Sequence, residues 1–285
     1  MVATLARAGQ PAIVYDASAE ALERATRLDG ISGAPTPAGV AAGSDVLFTA
    51  LPNDSIVREV YLGENGIASG ARAGLITCDC STVSPDLSAQ LHGELAQQGI
   101  HHMTTPMLGS TPQAESGEIF FIVGGEKERL PAIVPYLEIM GKMHQHVGPP
   151  DAANKIKLMH NALGAINAVA VSEILAMGIK AGVNIEDFYN VVCNGGGQAY
   201  STYFNSRVMR MAAGNFEPTF TVELMNKDVN MALELAEGLG GPVAIMKATQ
   251  EAYNQVADNS AWVHEDFSAV THLAERKIGR TISGK

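Results

Sequence analysis

The sequence predicts a parallel, doubly wound α/β domain over residues 1–148, followed by an all-helical domain over residues 149–285 and joined to it by a long helix. Three observations carry this reading. Short apolar runs of strand length alternate with amphipathic helical segments through the first half, the pattern of βαβ units. Strand-like runs stop after Val147. Between the two regions lies DAANKIKLMHNALGAINAVAVSEILAMGIKAG, from Asp151 to Gly182, the longest helical stretch in the chain.

In order, the strand-like runs are Ala12–Tyr15, Val46–Ala50, Leu75–Cys78 and Ile119–Val123. Ser18–Leu28, Asp54–Leu62 and Ser84–Gln98 lie between them with helical spacing and polar outer faces. Pro149-Pro150 then precede the long helix, Asp151 is placed to cap it, and Lys180 followed by Gly182 stops it. At about 1.5 Å per residue the helix spans roughly 45 Å. Apolar residues surround it after Asn161, which predicts burial on several sides. Lys157 and Asn161 are four residues apart and therefore share a helix face. On a buried face they would supply a proton donor and a fixed hydrogen-bonding partner; at a solvated helix end, Lys155 and Lys157 would simply face water. Further helices follow, broken at Asn194-Gly195-Gly196-Gly197 and at Gly240-Gly241-Pro242.

Composition narrows the function classes. A length of 285 residues with 46% hydrophobic content supports one large or two ordinary domains, each with its own core. A formal net charge of −11 argues against a nucleic-acid partner, which needs a surplus of Lys and Arg to neutralise phosphate. The three cysteines, Cys78, Cys80 and Cys193, form no CxxC pair and no even framework, which favours a reducing compartment. Cys78 and Cys80 read as buried small hydrophobes, and neither they nor His101-His102 and His144/His146 have metal-ligand spacing. No apolar run approaches the ~20 residues of a membrane span and no signal-peptide pattern opens the chain, so a cytoplasmic protein without membrane partners is expected.

Ligands of doubly wound sheets bind beyond the carboxyl ends of the strands. One such end is Val14-Tyr15-Asp16. An acid there either accepts hydrogen bonds from an adenosine ribose or caps the next helix. Leu51-Pro52-Asn53 follows the next strand, and Asp79-Cys80-Ser81-Thr82-Val83-Ser84-Pro85 the one after. Further on come Ile122-Val123-Gly124-Gly125, Lys157-Leu158-Met159-His160-Asn161, and Phe216-x-Pro218-x-Phe220 ahead of Lys227-Asp228. Taken together and in this order, these segments resemble the β-hydroxyacid dehydrogenase family, which includes 3-hydroxyisobutyrate dehydrogenases, tartronate semialdehyde reductases and sulfolactaldehyde reductases. The resemblance covers essentially the whole chain. It implies a Rossmann-like dinucleotide-binding domain, a helical domain of the 6-phosphogluconate dehydrogenase type, and a homodimer or homotetramer. It implies hydride transfer between a nicotinamide and a small β-hydroxyacid or its semialdehyde, with Lys157 and Asn161 as catalytic residues. Asp16, Leu51, Pro52, Asn53, Thr82 and Lys227 would hold the cofactor, NAD rather than NADP because Asp16 is followed by Ala17 and not by a basic residue.

The chain departs from the family pattern twice. Its Met1–Gly9 stretch already resembles the family's first helix, so the preceding strand and glycine loop are expected to be absent, with a gap in the sheet where that strand would lie. The substrate loop reads Thr104-Thr105-Pro106-Met107-Leu108-Gly109-Ser110, with Leu108 where the family usually has a serine. The substrate-binding group implied is then Met107, Leu108, Gly109, Ser110 and His160. A non-catalytic binding or scaffold protein on the same fold is the rival reading, favoured by the missing glycine loop and opposed by the retained Lys157/Asn161 pair.

Overall fold

The computed structural model describes residues 1–283, and the chain falls into two compact units, Met1–Lys157 and Leu158–Lys285. The first runs α1 (Val2–Arg7), β1 (Ala12–Val14), α2 (Ala19–Thr26), β2 (Ile31–Gly33), α3 (Pro37–Ala42), β3 (Val46–Thr49), α4 (Asp54–Leu62) and α5 (Ile67–Gly70). It continues through β4 (Ile76–Asp79), α6 (Pro85–Ala96), β5 (His101–Thr104), β6 (Met107–Leu108), α7 (Thr111–Ser116), β7 (Ile119–Gly124), α8 (Leu130–Met140) and β8 (Gly141–Gly148). Ser18, Thr36, Asn53 and Ser84 cap α2, α3, α4 and α6 through their side-chain oxygens, which sets each strand-to-helix turn.

The strands form two sheets. β1 pairs in parallel with β2, and a separate sheet has the order β3-β4-β5-β7-β6 with β8 also on β7. The interruption expected from the sequence is present. A cavity of about 410 Å³ lies along it, lined by Ala12, Ile13 and Val14 on one side and Val46, Leu47 and Phe48 on the other. β3, β4 and β5 are parallel, as expected, but β7 runs antiparallel to β5, which corrects the all-parallel reading. A parallel return needs a crossover of about a dozen residues or more, usually through a full helix. Here the link is divided between β6 and the six-residue α7, so β7 folds back instead.

Strand alternation divides the core. Leu47 packs with Val57, Tyr61, Leu91 and Leu95, while Val46 and Phe48 join Cys78, Met103, Phe121 and Leu137. Cys78 and Cys80 are both buried in the second cluster, as expected from their spacing. Burial pushes both thiols above their usual range, Cys80 to about 12.

The long helix α9 (Pro150–Lys180) runs from the first unit into the second. By length and composition it is apolar enough to cross a membrane. The expectation that no segment approaches that measure is therefore corrected: Ala, Ile, Val, Leu and Met outweigh the scattered polar positions. The second unit continues with α10 (Ile185–Asn194), α11 (Thr202–Ala212), α12 (Val222–Gly238), α13 (Ala244–Ala257) and α14 (Thr271–Ile278). The two glycine breaks fall between α10 and α11 and between α12 and α13. Ala165 and Ala168 of α9 pack with Val222, Met225, Val229 and Tyr253, their small side chains allowing close helix approach.

Candidate active site

The predicted cofactor residues of the first unit follow the carboxyl ends of β1, β3 and β4. Asp16 is exposed, and its Oδ1 accepts the Ser18 N–H at 2.8 Å. It shapes the turn into α2 and still presents a carboxylate to solvent, so the ribose and turn readings are compatible. Leu51 N–H donates to Ser81 Oγ at 2.9 Å. The Asn53 side chain caps α4, accepting from Ile56 N at 3.0 Å and from Ser55 Oγ at 2.8 Å. Thr82 is half-buried next to Val83, whose N–H reaches Asn154 Oδ1 of α9 at 3.4 Å.

Asn154 is 0% exposed and also donates to Ser88 Oγ at 3.0 Å, which fixes the start of α9 against α6. Three residues on, Lys157 is 8% exposed and its Nζ donates to the Met107 carbonyl at 2.7 Å. A buried lysine without such a partner would be costly. The solvated-end reading of Lys157 therefore fails, because the side chain turns onto the predicted substrate loop. β6 carries Met107 and Leu108 opposite Phe121 and Phe120 of β7. Gly109 follows with φ +129°, a backbone conformation that favours glycine. Ser110 N and Oγ both donate to Gln113 Oε1, at 2.9 and 2.8 Å, closing the first turn of α7.

In the second unit Asn161 is 7% exposed. Its Nδ2 donates to Asp228 Oδ2 at 2.6 Å, and its Oδ1 lies 3.0 Å from His160 Nδ1. Lys227 Nζ lies 3.2 Å from Asp228 Oδ1. Lys227, Asp228, Asn161 and His160 are thus joined in one chain of contacts, with the carboxylate buried between a lysine and an amide. The amide of Asn161 is oriented by this contact, since only its nitrogen can face a carboxylate. Sequence reasoning placed Lys227 and Asn161 but passed over Asp228, whose position directly after Lys227 was the available signal. Asn154, on the Lys157 face of α9 by its i−3 spacing, was missed in the same way.

These groups fit a nicotinamide dinucleotide. An exposed acid follows β1, the β3 and β4 turns present backbone at the end of a parallel sheet where such ligands bind, and the buried Lys157 of α9 reaches the Met107 carbonyl. Among the described residues no cluster of three or more His, Cys, Asp or Glu is placed to hold a metal.

The chain is similar to known proteins along its length. Residues 1–148 match the family described as the NAD-binding domain of 6-phosphogluconate dehydrogenase. Residues 151–274 match that described as the NAD-binding domain of NADP-dependent 3-hydroxyisobutyrate dehydrogenase. The chain is 31% identical to 2-(hydroxymethyl)glutarate dehydrogenase of Eubacterium barkeri over 245 residues, 86% of this chain and 81% of that one. It is 27% identical to 3-sulfolactaldehyde reductase of Escherichia coli over 289 residues, 100% of this chain and 95% of the relative. A solved structure of Psf3 in complex with NADP+ and 2-OPP shares the fold at TM-score 0.86 and 21% identity, covering 95% of this chain and 94% of that one. With a buried lysine on the long helix, a braced β3–β4 end and both domain families matched, the chain belongs to the β-hydroxyacid dehydrogenases, NAD(P)-dependent oxidoreductases of small hydroxyacids.

Proposed function

We propose that the protein interconverts a short-chain β-hydroxyacid and its semialdehyde, with Lys157 as the general acid and base. The observation that carries this is the buried Lys157 ammonium held 2.7 Å from the Met107 carbonyl. The nicotinamide, when bound, supplies or accepts the hydride at the carbonyl carbon. Lys157 gives a proton to the carbonyl oxygen during reduction and takes it from the hydroxyl during oxidation. The Met107 carbonyl limits the rotamers of the lysine, so its ammonium does not have to be reordered for each turnover. In this reading Asn161, its amide oriented by Asp228, orients the substrate, and Thr82 and Lys227 keep the cofactor roles that the family resemblance implies.

NAD is the preferred cofactor in this reading. The Asp16 carboxylate suits two ribose hydroxyls and repels a 2′-phosphate, and Ala17 supplies no compensating cation. A homodimer or homotetramer is also part of the proposal: Met159, Leu163, Ile174 and Met177 leave an exposed apolar stripe on α9, 67, 60, 45 and 62% accessible, that a second copy would cover. A cytoplasmic location accords with the free state of Cys78, Cys80 and Cys193. The scaffold reading has nothing in its favour among the relatives described above, which are dehydrogenases and reductases.

The test is nicotinamide absorbance during turnover with three- and four-carbon hydroxyacids, for the wild type and Lys157→Ala. Loss of a general acid–base group commonly lowers kcat by ~10²–10⁴, while cofactor affinity should persist. A variant with near-normal kcat would end the proposed role of Lys157.

A further inference from the structure

We propose that Asp79 is a positioning residue for the dinucleotide, its buried carboxylate fastening the turns after β3 and β4 into one cradle. The proposal rests on the reading that the Leu51–Asn53 turn and Thr82 contact the cofactor.

Asp79 is the last residue of β4 and is 1% exposed. Its Oδ1 accepts three hydrogen bonds: from Thr49 Oγ1 at 2.9 Å, from Ser81 N at 3.0 Å and from Ser81 Oγ at 2.5 Å. Thr49 ends β3 and is itself 2.9 Å from the Tyr61 hydroxyl of α4. Ser81 Oγ accepts the Leu51 N–H.

The direction of these bonds matters. A serine hydroxyl has one proton. Because Asp79 takes that proton, the lone pairs of Ser81 are turned to Leu51, and the β3 turn is tied to the β4 turn through a single oxygen. An outer tie repeats the arrangement, with Ser84 N donating to Asp54 Oδ1 at 3.1 Å and Ser84 Oγ to Asp54 Oδ2 at 2.5 Å.

Burying a carboxylate is unfavourable even when it is hydrogen-bonded, and an apolar residue of similar volume would usually serve stability as well or better. Burial raises the Asp79 carboxyl above its ordinary range, while the hydrogen bonds from Ser81 and Thr49 pull it back. What the carboxylate supplies that an apolar residue cannot is direction. It fixes the Ser81 rotamer, and with it the path of the backbone on either side of Leu51 and Thr82.

The experiment is isothermal calorimetry with NAD+ and NADP+, with steady-state kinetics, on the full chain as wild type, Ser81→Ala, Asp79→Asn and the double variant. Ser81→Ala should raise the cofactor Kd and KM about tenfold while kcat at saturating cofactor changes less than about threefold, because Lys157 is untouched. The double variant should be little worse than the poorer single one, since both act through one link. Amide exchange at Leu51 should accelerate in Ser81→Ala. A purely structural role would lower the melting temperature without moving Kd, and that result, or additivity of the two changes, overturns the proposal. A wild type that binds neither nucleotide overturns the cofactor reading itself, whereas a wild type that binds and a Ser81→Ala of equal affinity overturns only the role of Asp79.

Discussion

His102 should make the protein lose stability as pH falls below the ordinary histidine range. The residue lies in β5 and is 1% exposed. Its Nδ1 is 2.9 Å from Thr77 Oγ1, its ring stands edge-on to Tyr61 at 5.2 Å, and its Nε2 has no hydrogen-bond partner among the described residues. Burial, and after it the charge of His92, lowers its pKa from 6.5 to about 3. The sign follows from linkage. Above the unfolded pKa both states are neutral and nothing is lost. Below it the unfolded chain takes up a proton that the folded ring refuses until about pH 3, so folding weakens progressively across that window. Each pH unit is worth about 1.4 kcal/mol, which gives about 2 kcal/mol by about pH 5 and about 5 kcal/mol if the fold survives to the lower pKa. Urea titrations of wild type and His102→Phe at about pH 7.5 and about pH 5 measure this. The variant loses the Thr77 contact at both pH values, and the carboxylates titrate alike in both proteins. The wild type should therefore drop about 2 kcal/mol more than the variant between the two conditions. Parallel losses would show that His102 is protonated, or reached by water, in the folded protein.

Two further perturbations have defined outcomes. Asp16→Asn should narrow the preference for NAD over NADP, by removing the charge that repels a 2′-phosphate; kcat/KM for both nucleotides on one preparation decides it, and a wild type that already prefers NADP would refute the reading of this strand end. Asp266 is 0% exposed and binds Arg207 Nε at 3.0 Å, Thr219 Oγ1 at 3.0 Å and Ser268 Oγ at 2.8 Å, so Asp266→Ala leaves a largely buried guanidinium unpaired. Removing one partner of such a pair costs about 3–5 kcal/mol. The single tryptophan, Trp262, reports on the same unit, and a loss under about 1 kcal/mol in its fluorescence unfolding curve would refute the account.

What was legible in the sequence is what local pattern encodes. Proline, aspartate and a terminal glycine bracket α9, and the four-residue step from Lys157 to Asn161 reads directly as one helix face. The strand ends at Asp16, Leu51 and Thr82 follow runs of branched apolar residues. β5 was missed because His101-His102-Met103-Thr104 does not look like a central strand, although three of the four are buried. β8, Gly141–Gly148, is mostly polar or glycine and carries little apolar signal. The reversal of β7 depends on how the residues before it divide between a short strand and a short helix, which no periodicity states. Asp79 and Asp266 owe their roles to partners 30 and 59 residues away, Thr49 and Arg207, and a carboxylate's neighbours at that separation are a property of the fold alone.

The substrate loop shows the same limit at the scale of one proton. On the family resemblance, the Gly109 backbone and the hydroxyls of Ser110 or Thr111 are the candidates to replace the family's serine. In the folded chain Ser110 Oγ donates to Gln113 Oε1, and its N–H goes to the same oxygen. Both of its hydrogens are therefore committed to starting α7, and Ser110 can accept a hydrogen bond but cannot donate one while that turn stands. A substrate carboxylate only accepts. Ser110 could serve it only by releasing α7, at a cost of about 1 kcal/mol for a helix cap, or the anion must find its donors elsewhere. The Lys157 ammonium, drawn onto this loop by the Met107 carbonyl, is one cation held within reach of the loop backbone. With Leu108 in the serine position and both Ser110 hydrogens committed, the Thr111 hydroxyl and the Gly109 backbone are the remaining candidates that the sequence offers on this loop.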